Sequence, residues 1–226
     1  MNKILEKYKD FLTNPPGIEG GWCNRYNTFS KSFELLSRLS NPKLVVELGT
    51  TRSYVGGHLP GCMMSDDKYW NPEKIEDWDW SAGCFTIVAA EICSKMDNVE
   101  FVTVDISKEH LRRSKKMTSH LYDKISYVNK TSEEFLSNCE EKIDLLYIDT
   151  GNPDEHTRRI QLKEAKIIVE NNLISENGII LIDDVYRPNE FKDNEYVNKA
   201  ELSLPYYLLN GFELAYSDYQ TILVKK

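Results

Sequence analysis

The chain has 226 residues, with 28 basic and 36 acidic side chains and a formal net charge of -8. A net negative charge repels polyphosphates, so DNA and RNA are excluded as expected partners. No apolar run approaches the ~18 residues of a membrane span, and the length suits one large α/β domain.

The cysteines and the first residues both indicate a cytoplasmic protein. Five cysteines form no CxxC pair and no Cys/His set with zinc spacing, so we expect reduced thiols rather than a secreted disulfide framework. The segment MNKILEKYKDFL interrupts its apolar residues with charges, unlike the continuous apolar region of a signal peptide.

Two helices are predicted at the start of the chain. Apolar residues recur at helical spacing over 4–12 and again over 29–39, and the Pro/Gly stretch NPPGIEGGW separates them as a loop. We therefore expect a helical lid over residues 1–42, followed by the main domain over 43–226.

From Lys43 onward, strand and helix patterns alternate. Apolar strands are predicted at 44–48, 99–105, 125–129, 143–149 and 178–183, with helices at 85–96, 107–121, 132–138 and 157–171. Such β-then-α steps predict a Rossmann-like, doubly wound α/β fold whose mostly parallel sheet is covered on both faces. After a helix around 198–209, GFELAYSD and YQTILVKK are joined by almost no loop, which predicts a C-terminal antiparallel hairpin.

The stretch LVVELGTTRSYVGG begins like a nucleotide-binding loop, with Glu47 and Gly49 closing the first strand. The second glycine expected a few residues later is missing. In SAGCFT, however, Gly83 precedes a helix and lies about 20 residues before Asp105, which is the usual spacing to the ribose-binding acid. Residues 52–80 are then an insertion in the cofactor loop. Its tryptophans are interpreted as a packed cluster, with substrate platforms as the alternative.

The motifs VELGT, FVTVD, DLLYIDT and GIILIDDV, together with the terminal hairpin, resemble a class I S-adenosylmethionine (SAM)-dependent methyltransferase over residues 44–226. The paired strand ends resemble the metal-dependent O-methyltransferases of small molecules and sugars, such as the macrocin-type enzymes. The resemblance implies that Glu47 and Gly49 face the methionine part of the cofactor and that Asp105 binds both ribose hydroxyls. It implies further cofactor contacts from Thr50, Ser53, Gly83, Ile106, Thr131, Ser132 and Asp149. Ser81 is an alternative within the interrupted loop, and Asp105 acting only as a cap of the next helix is another.

Three carboxylates follow two strands that a crossover connection places side by side. Asp149 ends DLLYID, and Asp183 and Asp184 end IILIDD. Carboxylates gathered in a partly desolvated cleft repel one another unless a cation lies between them. An all-oxygen ligand set favours Mg²⁺ or Mn²⁺, so we predict a divalent metal held by Asp149, Asp183 and Asp184.

The predicted reaction needs a base for the acceptor hydroxyl. His156 follows Asp149 on the same sheet edge and is the favoured general base, with Asp154 and Asp184 as rivals; Asp149 joins His156 as a catalytic residue. The alternative is that His156 or Glu155 only helps to start the helix at Thr157.

The sequence thus predicts a SAM-dependent, Mg-assisted O-methyltransferase acting on a hydroxylated small molecule. By resemblance, the substrate is a sugar, a sugar nucleotide or a glycosylated metabolite. A metal-independent N-methyltransferase, an NAD(P)-dependent oxidoreductase and a non-catalytic binding module are the alternatives. A homodimer is a further expectation.

Overall fold

The computed structural model describes residues 2–19, 21–56, 58–59, 65–82, 84–188 and 196–226. Its helices are α1 (Asn2–Thr13), α2 (Tyr26–Leu36), α3 (Phe85–Cys93), α4 (Lys108–Thr118), α5 (Ser132–Ser137), α6 (Glu155–Glu170) and α7 (Ser203–Leu209). Its strands are β1 (Leu44–Leu48), β2 (Glu100–Asp105), β3 (Ile125–Asn129), β4 (Ile143–Ile148), β5 (Ile174–Ile182), β6 (Arg187–Pro188), β7 (Tyr196–Val197), β8 (Phe212–Ser217) and β9 (Thr221–Lys225).

Seven strands form one sheet in the order β3-β2-β1-β4-β5-β9-β8, and β6 pairs with β7 separately. Strands β1 to β5 are parallel, whereas β9 runs antiparallel to β5 and β8 antiparallel to β9. The predicted fold, a mostly parallel Rossmann-like sheet with a C-terminal antiparallel hairpin, is confirmed.

The starts of two elements differ most from the prediction. β5 begins at Ile174, earlier than expected, because Ile174 pairs with Ile143 across a register irregularity before the polar SENG segment. That segment has turn-like composition, and Asn177 indeed has a positive φ of 60°. Helix α7 begins only at Ser203, since residues 199–202 form turns.

Both faces of the sheet are buried, which explains the nearly continuous apolar strands. Along β1, Val45 and Val46 belong to different core clusters on opposite faces. Helix α2 packs on the sheet and on α3: the rings of Phe29 and Tyr147 on β4 have centroids 5.9 Å apart, and Phe33 stacks on Phe85 of α3 at 5.8 Å. The domain boundary at residue 42 stays a prediction, but α2 contributes to the core of the sheet.

The tryptophans of the 52–80 insertion form a packed aromatic cluster with α1, as the favoured interpretation predicts. Trp78 and Trp80 stack with centroids 5.6 Å apart, and Trp80 also contacts Tyr8 at 5.4 Å and Phe11 at 5.3 Å. Both indole N–H groups donate to backbone carbonyls inside the insertion. These side chains therefore attach the insertion to the first helix.

Cys23, Cys84, Cys93 and Cys139 carry free thiols, as expected, while Cys62 lies outside the described residues. Across the described parts of the chain, no helix has both the length and the apolar character needed to cross a bilayer.

Candidate functional site

A cleft of about 690 Å³ lies at the carboxyl ends of β1, β2, β4 and β5. β1 lies between β2 and β4, so the connections from the first strands leave in opposite directions at this point. Ligands of open α/β sheets bind at such a switch point. The loop between α1 and α2 covers one side of the cleft through residues 17–19, 22, 23 and 25.

Gly49 allows the loop after β1 to approach the end of β4. Its φ is +87°, and a Cβ at this position would lie 2.6 Å from the backbone oxygen of Asp149. A side chain is therefore excluded both by conformation and by space. Gly49 and Thr50 line the cleft where this close approach occurs.

Asp105 also lines the cleft, at the end of β2. Its Oδ2 accepts a hydrogen bond from the Thr50 amide at 3.2 Å, and its Oδ1 accepts one from the Ser107 amide at 2.7 Å. The cap of α4 is Ser107 itself, whose side chain accepts from the His110 amide. Asp105 thus links the β1 loop to the end of β2, a role different from the capping alternative.

Two neighbours of Asp105 complete this side of the cleft. Ile106 is 73% exposed and contributes an apolar surface to the cleft wall. His110 places Nδ1 3.4 Å from Asp105 Oδ2 and also lines the cleft. The sequence analysis did not single out His110, because a helix-face histidine has no distinguishing local pattern.

Glu47 lies beneath the cleft and not on the described part of its wall. The hydroxyl of Thr86 donates to both of its oxygens at 2.9 and 2.8 Å, and Thr103 donates to Oε2 at 2.5 Å. Burial raises the pKa of Glu47 to about 8, although these two hydrogen bonds oppose the shift. Thr86 also accepts from the Thr51 amide at 3.2 Å, so Glu47 supports the cofactor loop through α3.

Three other predicted cofactor contacts, Ser53, Thr131 and Ser132, make hydrogen bonds away from the described lining of the cleft. Ser53 is buried and hydrogen-bonded to Asp79. Thr131 caps α5 in a capping box, and Ser132 is hydrogen-bonded to Glu164 on α6. None of these is among the described cleft-lining residues, whereas Ser81 is; Gly83 lies outside the described residues.

The structure brings Asp149, Asp183 and Asp184 together, as the adjacency of β4 and β5 predicts. Each offers a carboxylate oxygen within 4.8 Å of the others, and all three line the cleft. Asp149 has the most accessible side chain, 23% exposed, while Asp183 and Asp184 are almost fully buried.

Two buried cations that sequence reasoning missed lie among these carboxylates. Arg25 donates to both oxygens of Asp183, through Nη2 at 3.0 Å and Nε at 3.3 Å. Lys199 Nζ lies 2.8 Å from Asp149 Oδ1 and 2.8 Å from Asp184 Oδ2. Arg25 follows the Pro/Gly loop and Lys199 precedes α7, and neither position carries a local signal that points to the acids.

The remaining oxygens of the two inner acids are also engaged. Gln220 Nε2 donates to Asp183 Oδ1 at 2.6 Å, and the Tyr219 hydroxyl donates to Asp184. Tyr219 in turn accepts from Arg25 Nη2 at 3.0 Å. Both oxygens of each inner acid therefore have a donor already.

The charged groups of the cluster shift one another's pKa values. Burial raises the pKa of Asp149, and the two neighbouring carboxylates add to this while Lys199 opposes it. Burial acts in the same direction on Asp184, but Lys199 and Arg25 outweigh it and hold its pKa below the ordinary value. The carboxylates in turn raise the pKa of Lys199 despite its burial.

This arrangement does not fit a divalent metal held by all three carboxylates. A divalent ion held by all three acids needs an oxygen of each acid directed at one common position. Here Lys199 lies between two of the three predicted ligands, and Arg25 holds the third. The Mg²⁺ or Mn²⁺ site stays a prediction of the sequence, and no step below is assigned to a metal.

His156 is exposed in the first turn of α6 and is not among the described residues that line the cleft. Asp154 is the cap of that helix, since its Oδ1 accepts from the Thr157 amide at 2.8 Å. The structure therefore does not bring His156 or Asp154 to the acidic cluster. Of the predicted bases, Asp184 and the catalytic candidate Asp149 reach the cleft.

Comparisons with known proteins bear on the family and on the fold. Residues 80–185 match the protein family described as a methyltransferase domain. The SAH-bound Podospora anserina methyltransferase PaMTH1 is 17% identical, with a TM-score of 0.50 over 100% of this chain and 89% of that one. The N-methyltransferase NodS from Bradyrhizobium japonicum WM9 is 9% identical, with a TM-score of 0.51; the match covers 88% of this chain and 94% of NodS. A SAM-dependent O-methyltransferase from Thermotoga maritima is 11% identical, with a TM-score of 0.50; the match covers 98% of this chain and 71% of that enzyme. A search of curated proteins found no match.

At these identities, the structural likeness shows the fold, which is the Rossmann-like fold of methyltransferases. The family match covers residues 80–185, which is less than half of the chain, and indicates a methyltransferase domain over that segment. The oxidoreductase alternative receives no support from these similarities. Both N- and O-methyltransferases share the fold, so the fold does not select the acceptor atom.

Proposed function

We propose that this protein is a methyltransferase that transfers the methyl group of SAM to a hydroxyl oxygen of a small polar molecule. The observation that carries the proposal is that Asp105 and the acidic cluster line the same cleft. One side of the cleft suits a nucleoside, and the other carries the groups that act on an acceptor. Its volume of about 690 Å³ lies in the range of small-molecule sites.

The cofactor is expected to lie along β1 and β2. The Asp105 carboxylate is placed to accept hydrogen bonds from the ribose hydroxyls, as acids at this strand end do in related folds. The exposed Ile106 side chain offers an apolar surface for the adenine ring. Because the backbone at Gly49 lies close to Asp149, we expect the sulfonium end near the acidic cluster.

In the proposed reaction, a lone pair of the acceptor oxygen forms a bond to the methyl carbon, and the S–CH₃ bond breaks. Its electron pair returns to sulfur, which gives S-adenosylhomocysteine, and the acceptor proton passes to a carboxylate. Asp149 is best placed to take it. Its side chain is the most accessible of the cluster, and its Oδ2 has no partner among the described residues, while Lys199 holds Oδ1.

The acceptor class predicted from the sequence is a sugar, a sugar nucleotide or a glycosylated metabolite. Polar and aromatic side chains at the acceptor end support this class. Arg52 and Glu19 line the cleft, and Trp22 meets Tyr219 edge to face with centroids 5.6 Å apart. Such aromatic surfaces beside charged groups suit a hydroxylated ring.

N-methylation is the second candidate, because Lys199 among the acids favours a reaction without a metal, and the fold is shared with an N-methyltransferase. Incubation with methyl-labelled SAM and a panel of sugar nucleotides and matched amino sugars tests both candidates. We expect label in an O-methyl ether. Label only in N-methyl products would refute O-transfer, and no transfer together with no binding of S-adenosylhomocysteine would refute the proposed function.

A further inference from the structure

We infer that Lys199, together with Arg25, takes the place of a divalent metal in the acidic cluster, so that the cluster binds no Mg²⁺ or Mn²⁺. The inference extends the proposed function, on which its catalytic meaning rests. It identifies Lys199 as a positioning residue for the transfer reaction. On this inference, the three carboxylates are not metal ligands but members of an ion-pair network with Arg25 and Lys199.

The first argument is the position of the ammonium group. Lys199 Nζ is 2.8 Å from one oxygen of Asp149 and 2.8 Å from one oxygen of Asp184. A metal bound by these acids would occupy the space between them. The two cations cannot share that space, because like charges at such a distance in a desolvated site repel strongly.

The second argument concerns burial. The Lys199 side chain is 2% exposed, so the ammonium cannot exchange its carboxylate partners for water without leaving the cluster. Removing one partner of a buried ion pair is strongly unfavourable, because the charge of the other partner is then uncompensated. A metal ion would have to displace the lysine and meet this cost.

The third argument is the closure of the network around Asp183. Arg25 is 3% exposed and donates to both carboxylate oxygens, and Gln220 adds a third donor. A bidentate guanidinium is a strong and geometrically specific carboxylate partner. Asp183 therefore does not need a metal for compensation, and Arg25 also links the N-terminal segment to the sheet edge.

The arrangement leaves Lys199 with a further use. An ammonium has three N–H bonds, and two are directed at Asp149 and Asp184. The third can be donated to an acceptor oxygen that approaches the neighbouring Asp149. Lys199 would thus orient the acceptor beside the carboxylate that receives its proton, a task that a metal performs in metal-assisted transfer.

Titration of the apo protein with Mn²⁺ alone, followed by electron paramagnetic resonance of the free ion, tests the inference without any acceptor. We expect no binding to the wild-type protein at millimolar Mn²⁺. Lys199→Met removes the ammonium while keeping an unbranched side chain, and we expect it to raise the affinity for Mn²⁺ by at least about tenfold. Lys163→Met is the matched control, since Lys163 is exposed on α6 and pairs with Glu133; it should behave as the wild type.

Mn²⁺ binding by the wild-type protein that Asp183→Asn weakens would overturn the inference. A folded Lys199→Met protein that still binds no Mn²⁺ would overturn it as well. If Lys199→Met does not fold, the Mn²⁺ titrations of the wild-type protein and of Asp183→Asn are sufficient to test the inference. Calorimetry with S-adenosylhomocysteine, run in parallel, reports on the proposed function separately, because cofactor binding does not depend on the metal result.

Discussion

At the scale of single residues, Asp105 is the side chain on which we expect the proposed cofactor binding to depend most. It lines the cleft and already accepts two backbone amides, which hold its carboxylate in one orientation. A hydrogen bond to a charged group contributes about 1.5–3 kcal/mol. We therefore expect Asp105→Ala to weaken S-adenosylhomocysteine binding about 10- to 100-fold, measured by isothermal titration calorimetry. Asp97→Ala, in an exposed turn, is the control; equal affinities for both variants would show that Asp105 does not hold the ribose.

Glu47 makes the stability of the protein depend on pH in a defined direction. Its pKa rises from the ordinary 4.5 to about 8 in the folded state, mainly through burial. The folded protein thus retains a proton that the unfolded chain releases. The stabilising contribution is complete below the unfolded pKa and is lost as the pH rises through the folded pKa.

We expect the wild-type protein to lose more unfolding free energy than Glu47→Gln between about pH 6 and about pH 9. Urea unfolding at both pH values measures the two losses. The comparison isolates Glu47, because Asp149 and Glu164, whose pKa values are also raised, are present in both proteins. Equal losses in the two proteins would mean that Glu47 does not hold this proton.

At the scale of elements, α1 and the 52–80 insertion stabilise each other through aromatic packing. Trp80 is almost fully buried between Tyr8, Phe11 and Trp78. Replacing a buried tryptophan by alanine costs about 3–5 kcal/mol. We expect Trp80→Ala to lower the urea-unfolding free energy by that amount and Trp22→Ala, in the half-buried cleft wall, by clearly less. A similar small loss for both would show that the cluster is not part of the cooperative core.

The elements themselves were largely predictable. Strands β1 and β4 follow from short apolar runs, because a parallel sheet covered on both faces buries every side chain along its central strands. The start of β5 was not predictable, since SENG has the composition of a turn and only pairing with β4 extends the strand through it. Likewise, Thr131 and Asp154 cap helices α5 and α6, and neither is among the described residues that line the cleft.

At the scale of the whole molecule, cofactor binding is expected to stabilise the folded protein. A ligand that binds only the native state adds about 2.7 kcal/mol at a concentration of 100 Kd. S-adenosylhomocysteine should therefore raise the thermal unfolding midpoint of the wild-type protein in a concentration-dependent way, measured by scanning fluorimetry. NADH at the same concentration should leave it unchanged. A shift with NADH and none with S-adenosylhomocysteine would contradict the assignment of the cleft.

The sequence by itself determined the sheet, its C-terminal hairpin and the proximity of Asp149, Asp183 and Asp184. The spacing of apolar residues identifies the strands and helices, and the crossover connections between parallel strands determine which strand ends are neighbours. Only the tertiary structure decided what compensates these acids. Arg25 is 158 positions from Asp183, and Lys199 is 50 positions from Asp149. No local sequence pattern predicts such an ion pair, because it depends on the positions of distant loops in the folded protein and on how completely they exclude water.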